Sequence, residues 1–186
     1  MEKEVAFILG ALEDGNFYSR PEIGDYTIEI EQKNKEWLEN LSNAFQIAFK
    51  VKPKITERKN RDVFRLRIHS KKIFEELEKM RRDLELIQRE QHEVQINFLR
   101  GVFDAEGSVH KNKNRITFSN KKENLIILCK TLLTGMGVKT GNIWNYKWGV
   151  KVLPINGREN LEKFNKIIGF SHPEKRRKLE NKLMSS

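Results

Sequence analysis

The alternation of apolar and polar positions predicts the same succession of helices and strands twice along the chain. The first copy opens with an apolar helix over Val5 to about Asp14. It continues into the alternating segment YTIEIEQK, where Ile28 and Ile30 share one face, as is typical of a half-buried strand. Further along, the pattern predicts a helix in KEWLENLSNAFQIAF, strands in VKPKITERK and DVFRLRIHS with a turn at NRD, and a closing helix in KKIFEELEKMRRDLELI.

The second copy repeats this order after a joining segment, QREQHEVQ. It comprises a helix in QINFLRGVFDAEG, a strand running into a helix in RITFSNKKENLIILCKTLLTGMG, strands in GNIWNYKWG and VKVLPI, and a helix in NGRENLEKFNKIIGF. We predict two halves, residues 1–90 and 91–186, that pack against each other, because neither has enough apolar surface for a core of its own. The polar, basic segment SHPEKRRKLENKLMSS is interpreted as a partly ordered helix.

Composition and charge restrict the class of protein. Of 186 residues, 38 % are apolar and 33 % charged. The net charge of +10 and the pI near 9.7 are typical of a protein that binds nucleic acid, although a thermophile-like surface is an alternative. No apolar run could span a membrane, and MEKEVAF does not resemble a signal peptide. The single cysteine, Cys129, is predicted to be a buried thiol in a reducing, cytoplasmic compartment.

Small residues recur at helical spacing in the first helix of each copy. Gly101 and Ala105 are four residues apart, as are Ala6 and Gly10, so each pair lies on one helix face. Residues without side-chain bulk let two helix backbones approach closely. We therefore predict that these two helices pack side by side where the two halves meet.

Both of these helices end in acidic residues, although the chain is strongly basic. Asp14 and Glu106 are each followed by a glycine, Gly15 and Gly107, which we expect to end the helix in the left-handed conformation. A carboxylate at a helix C-terminus costs about 0.3–1 kcal/mol, and two such ends side by side repel each other. A divalent cation would relieve both effects. Hard oxygen ligands suit Mg²⁺, and paired ions can activate water and stabilise a leaving oxygen in phosphodiester hydrolysis.

These features resemble the LAGLIDADG family of homing endonucleases. FLRGVFDAEG looks like the family motif, with Glu106 as the final, metal-binding acid, and FILGALEDG looks like the first copy of that motif. Downstream, EQKNKEWLENL and FSNKKENLIIL match one strand-to-helix step of the family, and RLRIHSKKIFEEL and KVLPINGRENLEKF match the later one. The resemblance implies an α+β fold of two pseudo-symmetric αββαββα halves, each with a curved antiparallel sheet, that form a DNA-binding saddle.

The first motif is one residue shorter than the second. Asp14 lies four residues after Gly10, whereas Glu106 lies five residues after Gly101. We assign the metal-binding role in the first half to Asp14, because it directly precedes a glycine as Glu106 does. The alternative is that Glu13 shares or takes this role. A degenerate first half would leave a protein that nicks one strand or only binds.

By resemblance, polar residues before the second helix of each half organise water or stabilise charge near the metal ions. These residues are Gln32 and Lys33 in the first half, and Asn120 and Lys121 in the second. The alternative is that Asn120 caps the following helix and that the lysines are surface charges.

Basic residues alternate with apolar residues along the predicted strands. Arg65 and Arg67 share the face opposite the core, where a strand pair could enter the major groove and read guanine edges. Other basic side chains would contact phosphates, and Glu29, Glu31 and Glu57 could accept from cytosine amino groups. A merely solvated sheet face is the alternative. The predicted DNA-binding residues are Lys52, Lys54, Arg58, Arg65, Arg67, Lys111, Arg115, Lys139, Lys147 and Lys151.

Three aromatic residues, Trp144, Tyr146 and Trp148, share one parity near a predicted hairpin. We expect them to pack in the core or in cross-strand pairs rather than to stack on bases.

With the resemblance, the sequence predicts a monomeric, site-specific double-strand DNA endonuclease that hydrolyses phosphodiester bonds at a long asymmetric target. The resemblance implies Mg²⁺ as the cofactor, Mn²⁺ as a substitute, and Ca²⁺ as an ion that supports binding without cleavage. It also implies cuts across the minor groove with short 3′ overhangs, and a gene carried in an intron or as a mobile element. Two alternatives stay open: a catalytically weak or inactive DNA- or RNA-binding protein on the same fold (a maturase or regulator), and a basic structural nucleic-acid-binding protein without a metal site.

Overall fold

The computed structural model describes residues 1–185, apart from the side chain of Asn60, and its first half has two layers. A four-stranded antiparallel sheet, in the order β1-β2-β4-β3, is covered on one side by helices. Short 3-10 turns follow the first helix, over Leu12–Asp14, and the third, over Leu84–Arg89. The elements are α1 (Lys3–Ala11), β1 (Asn16–Arg20), β2 (Asp25–Gln32), α2 (Lys35–Phe49), β3 (Lys54–Arg58), β4 (Val63–His69) and α3 (Lys71–Arg82).

The second half repeats this architecture with shorter edge strands. Its sheet is also four-stranded and antiparallel, in the order β5-β6-β8-β7, so the predicted fold of two matching halves is confirmed. The elements are α4 (His92–Glu106), β5 (Gly107–Val109), β6 (Arg115–Asn120), α5 (Glu123–Gly135), β7 (Trp144–Asn145), β8 (Lys151–Asn156), α6 (Arg158–Ile167) and α7 (Pro173–Met184).

The boundaries follow from capping and alternation. Asn34 caps α2 by accepting from the backbone N–H of Trp37 at 2.9 Å, and Ser70 caps α3 in the same way. In β2, Ile28 and Ile30 are fully buried against the helices, as their alternation predicts.

The apolar residues of both halves form one continuous core, and Cys129 lies fully buried within it. Among the described residues, no helix is both long and apolar enough to cross a membrane.

The helices α1 and α4 pack side by side at the centre of the molecule, and two glycines set their distance. A Cβ atom added to Gly10 would lie 2.3 Å from the carbonyl oxygen of Phe98, and one added to Gly101 would lie 2.2 Å from that of Phe7. Real Cβ contacts are never so short, so only glycine permits this approach. The predicted close contact of the two helices is confirmed.

One sequence-based expectation is wrong, and another is confirmed only in part. Gly15 and Gly107 are extended, with φ of −100° and −74°, and are not left-handed caps. Gly107 is required by space instead, because a Cβ there would lie 2.4 Å from the carbonyl oxygen of Phe103. Of the three aromatic residues, Trp144 forms the expected cross-strand pair, with Val152, whereas Tyr146 and Trp148 are 59 % and 83 % exposed.

Candidate metal and nucleic-acid site

The C-terminal ends of α1 and α4 bring two carboxylates together. Asp14 closes the 3-10 turn that follows α1, and Glu106 is the last residue of α4. Burial and then the charge of Asp14 raise the pKa of the Glu106 carboxyl. Burial also raises the pKa of Asp14, against the hydrogen bond that Gln32 Nε2 donates to its Oδ2 at 2.5 Å. The structure thus places Asp14, Glu106 and Gln32 in one site.

Glu13 is turned into the protein, unlike its neighbour Asp14. Its side chain is only 1 % exposed, and its Oε2 accepts from Lys122 Nζ of the second half at 2.9 Å. Its Oε1 is buried without a hydrogen-bond partner among residues 1–185. Glu13 therefore forms an ion pair across the junction of the two halves, while Asp14 remains exposed at the edge of the site.

Asp104 has a structural role, although it lies in the motif next to Glu106. It is fully buried and accepts from the backbone N–H groups of Ser171 and His172 at 3.0 and 3.1 Å, and from the Ser171 hydroxyl. Trp37 Nε1, from the first half, donates to it at 3.2 Å. Burial raises the pKa of Asp104, and these hydrogen bonds oppose that rise. Asp104 therefore ties the start of α7 and the first half to α4.

Lys175 on α7 is a site residue that the sequence did not indicate. Its Nζ donates to the last carbonyl groups of α4, those of Phe103, Asp104 and Ala105, at 3.3, 2.6 and 3.1 Å. Burial lowers its pKa, and the nearby carboxylates of Asp104, Glu106 and Asp14 oppose that fall. An ammonium group at a helix C-terminus complements the helix dipole. Lys175 therefore supplies positive charge beside the two acids.

The other predicted site residues lie at the strand-to-helix steps. Asn120 accepts from the backbone N–H of Lys122 at 2.9 Å and so organises the turn into α5. Lys33 and Lys121 are exposed, and neither makes an ion pair or side-chain hydrogen bond with the described part of the chain. Their ammonium groups are thus available to an external ligand.

The donor set fits a magnesium-like ion that brings most of its own ligands. No group of three or more His, Cys, Asp and Glu residues that could hold a metal occurs within the described chain. Asp14 and the half-buried Glu106 nevertheless offer two carboxyl groups, and partial burial raises the pKa of both. Mg²⁺ is usually held by one or two carboxylates, with water and substrate phosphate completing its octahedron. The two acids fit that mode, and not an all-protein cage.

The outer face of the first sheet carries basic residues that are paired with acids. Arg65 donates through Nε and Nη2 to Glu31 Oε1 at 2.9 and 2.7 Å, and Arg67 donates in the same manner to Glu29. Arg58 also donates to Glu31, at 2.7 Å. Lys52 and Lys54 are exposed.

The predicted DNA-binding residues of the second half do not form one surface. Arg115 lies on the outer face of the sheet, where its Nε donates to Asn156 at 2.6 Å. Lys151, however, points to the helix side and pairs with Glu123 at 2.8 Å. Lys139 lies beside the start of α6, where its backbone N–H donates to Asn160. The two further lysines, Lys111 and Lys147, are exposed in connections between strands.

Comparison with known proteins agrees with this architecture. Residues 5–96 match the WhiA LAGLIDADG-like domain, and residues 93–169 match the LAGLIDADG-like domain. The homing endonuclease I-DmoI of Desulfurococcus mucosus is 31 % identical over 176 residues, which cover 90 % of this chain and 88 % of that protein. The homing endonuclease I-ApeI of Aeropyrum pernix is 28 % identical over 193 residues, which cover 95 % and 86 %.

Solved structures extend the likeness to three dimensions. The crystal structure of I-DmoI in complex with DNA and Ca superposes with a TM-score of 0.74 and 26 % identity, covering 96 % of this chain and 97 % of that one. The N-terminal LAGLIDADG domain of DUF199/WhiA gives a TM-score of 0.65 over 91 % of this chain, at 15 % identity, which reflects the fold alone. From the paired helices, the two matching sheets and these relatives, we conclude that the chain belongs to the LAGLIDADG homing endonuclease family, in its single-chain, two-motif form.

Proposed function

We propose that this protein is a divalent-metal-dependent endonuclease that cuts both strands of DNA at one long, asymmetric site. The observation that carries the proposal is the meeting of Asp14 and Glu106 at the adjoining ends of α1 and α4, where each carboxyl has a raised pKa. Two acids at adjoining helix C-termini oppose the helix dipoles, and a divalent cation would complement them beyond the single charge of Lys175. The relatives I-DmoI and I-ApeI are homing endonucleases, which supports the same reaction class.

Asp14 and Glu106 are the proposed metal ligands, one from each half. When bound, divalent ions would activate a water molecule and stabilise the leaving oxygen of the phosphodiester. I-DmoI has been crystallised in complex with DNA and Mn, and with DNA and Ca, which supports divalent ions as cofactors here. Mg²⁺ is our choice for catalysis, since the two acids leave room for water and phosphate.

The surrounding residues have supporting roles in this proposal. Gln32 fixes the carboxylate of Asp14 through its 2.5 Å hydrogen bond. Lys33 and Lys121 are free to place positive charge near a phosphate group, and Asn120 holds the turn that carries Lys121. Glu13 is excluded as the first-half ligand in our assignment, because it is buried and pairs with Lys122.

A single chain contains both halves of the proposed site, so a monomer suffices for cutting both strands. The outer faces of the two sheets would contact the duplex, with exposed lysines on its phosphates. We propose double-stranded DNA as the partner and do not invoke a second protein.

The test is a selection from a random duplex library. Binding in Ca²⁺ is followed by a challenge with Mg²⁺, and both the bound pool and the cut ends are sequenced. We expect one long motif that is cut on both strands. Binding without cutting by the unmodified protein would overturn the nuclease assignment and leave a DNA-binding protein.

Matched variants assign the two acids. Glu106→Gln and Asp14→Asn should bind the selected motif but lose cleavage, whereas Glu13→Gln should retain it. Loss of activity in Glu13→Gln with a normal unfolding curve, and activity in Asp14→Asn, would place the first ligand at Glu13 instead. Cutting of one strand only by the unmodified protein would mean that the shorter first motif is defective.

A further inference from the structure

The outer faces of the two sheets differ sharply in charge. We define the first strand face as the side of β1 to β4 opposite the core, and the second strand face as the equivalent side of β5 to β8. Strand pairing places residues directly opposite each other on the same face. On the first face, five basic and three acidic side chains occur together: Arg20, Lys54, Arg58, Arg65, Arg67, Asp25, Glu29 and Glu31.

The second strand face carries one charged residue among the described side chains. Arg115 lies opposite Asn156, Thr117 opposite Pro154, and Ser119 opposite Val152. Trp144 also lies on this face, and the guanidinium of Arg115 stands 5.7 Å from the centre of its ring. Val152 and Pro154 are buried, so the groups accessible on this face are the hydroxyls of Thr117 and Ser119, the Thr117 methyl group, the Trp144 ring and the paired polar ends of Arg115 and Asn156.

On the first face, the carboxylates hold the arginines in fixed orientations. Glu29 is buried and lies opposite Arg67, and Glu31 lies opposite Arg65, whose side chain is only 17 % exposed. Each carboxylate takes Nε–H and one Nη2–H of its arginine. A guanidinium has five N–H donors, so the two N–H groups of Nη1 and the second N–H of Nη2 remain available to donate to another ligand. That remaining edge has the fork geometry that binds O6 and N7 of guanine.

Lys54 differs from these arginines, although it lies directly opposite Arg67. It is exposed and has no ion-pair or hydrogen-bond partner in the described part of the chain. An unpaired ammonium on a flexible stem suits phosphate and carries no base preference. The first strand face therefore combines two guanidinium groups, which carboxylates hold in place and neutralise, with the unpaired ammonium group of Lys54.

We propose that the difference in charge between the two strand faces corresponds to a difference in base composition between the two halves of the DNA target. This proposal rests on the function given above. The half-site that contacts the first strand face is read at G·C pairs, where Arg65 and Arg67 donate to guanine and the partly exposed Glu31 can accept from cytosine N4, whereas the buried Glu29 only orients its arginines. The half-site on the second strand face is read through the Thr117 methyl group and the Trp144 ring, whose apolar contacts favour the thymine methyl, while the hydroxyls of Thr117 and Ser119 accept any base. The target therefore has one half with strong G·C preferences and one half rich in A·T.

The experiment compares base preferences in the selected library for the unmodified protein and two variants. Arg67→Lys keeps the charge but removes the fork, so it should relax the preference for G·C at positions in one half-site only, by roughly tenfold to a hundredfold. Lys54→Met is the matched control on the facing strand. It should weaken binding to all sequences alike and reduce the slope of log K against log salt by about one, without changing base preferences.

Each outcome has a separate meaning. A long motif that is cut in Mg²⁺, but whose G·C preference is spread evenly over both halves, would overturn this inference and leave the proposed function intact. Relaxation by Arg67→Lys in both halves, or in the half without G·C preference, would also overturn it. Recovery of no motif at all would instead refute the proposed function.

Discussion

Replacing Lys175 by methionine would remove the ammonium group that closes the end of α4 from a helix about seventy residues further along the chain. Its three carbonyl acceptors lie at 3.3, 2.6 and 3.1 Å. Hydrogen bonds to charged groups contribute about 1.5–3 kcal/mol each, but these three share one donor whose burial is itself costly. Methionine retains the apolar stem. We therefore expect the free energy of unfolding to fall by about 2 kcal/mol, within the range for hydrogen bonds to a charged group, because the carbonyl groups lose their donor but no buried charge is left unpaired.

Urea unfolding followed by tryptophan fluorescence measures this loss, because Trp37 reports on the same junction through its bond to Asp104. The control is Lys178→Met, one turn further along α7, where an exposed lysine pairs with Glu174 at 2.6 Å. That pair should contribute less than about 0.5 kcal/mol. A loss below about 1 kcal/mol for Lys175→Met, or an equal loss for both variants, would refute the assignment of Lys175 as the cap of α4.

Three further predictions use the same unfolding assay. Asp14→Asn and Glu106→Gln should each raise the metal-free free energy of unfolding at pH 7 by about 0.5–1 kcal/mol, since each removes a carboxylate from a helix C-terminus; a fall would contradict the proposed repulsion. Gly101→Ala should cost about 3 kcal/mol or more, because its Cβ meets backbone, whereas Gly135→Ala, with nothing within 4 Å, should cost nothing. Burial lowers the pKa of His172 from 6.5 to about 4, so the folded state binds fewer protons and loses up to about 3 kcal/mol as pH falls through that window. His172→Phe should remove this loss, and an unchanged pH profile would exclude His172 as its source.

The sequence was sufficient to predict the repeated architecture and the central helix pair. Periodicity identified the helices and the longer strands, because their apolar faces are buried along several residues, as in β2 and β4. The four-residue spacing of Ala6 and Gly10, and of Gly101 and Ala105, predicted the helix contact, because small residues on one helix face let two backbones approach closely. The sequence did not predict the edge strands β1 and β5, because short strands with exposed residues show little alternation of apolar and polar positions.

The part of the site that involves α7 could not be predicted from pattern. Ser171 and Lys175 reach Asp104 and its neighbours across about seventy positions of sequence, and no local spacing connects them. Ser171 lies just before α7, and α7, which carries Lys175, is mostly polar and buries only Leu179, so its periodicity is weak. The glycines after the two motifs were misjudged for a related reason. Crowding by a neighbouring carbonyl and a positive φ both select glycine, and a sequence does not separate them.

The contacts between Asp104 and the start of α7 also bear on the order in which the protein matures during synthesis. During synthesis, α4 leaves the ribosome well before residues 171–175. For that interval Asp104 lacks its hydrogen-bond donors Ser171 and His172. Until then an uncompensated carboxylate destabilises the junction of the halves. The junction of the two halves is therefore completed only when residues 171–175 have emerged, and a chain cut before Ser171 should be less stable at that junction.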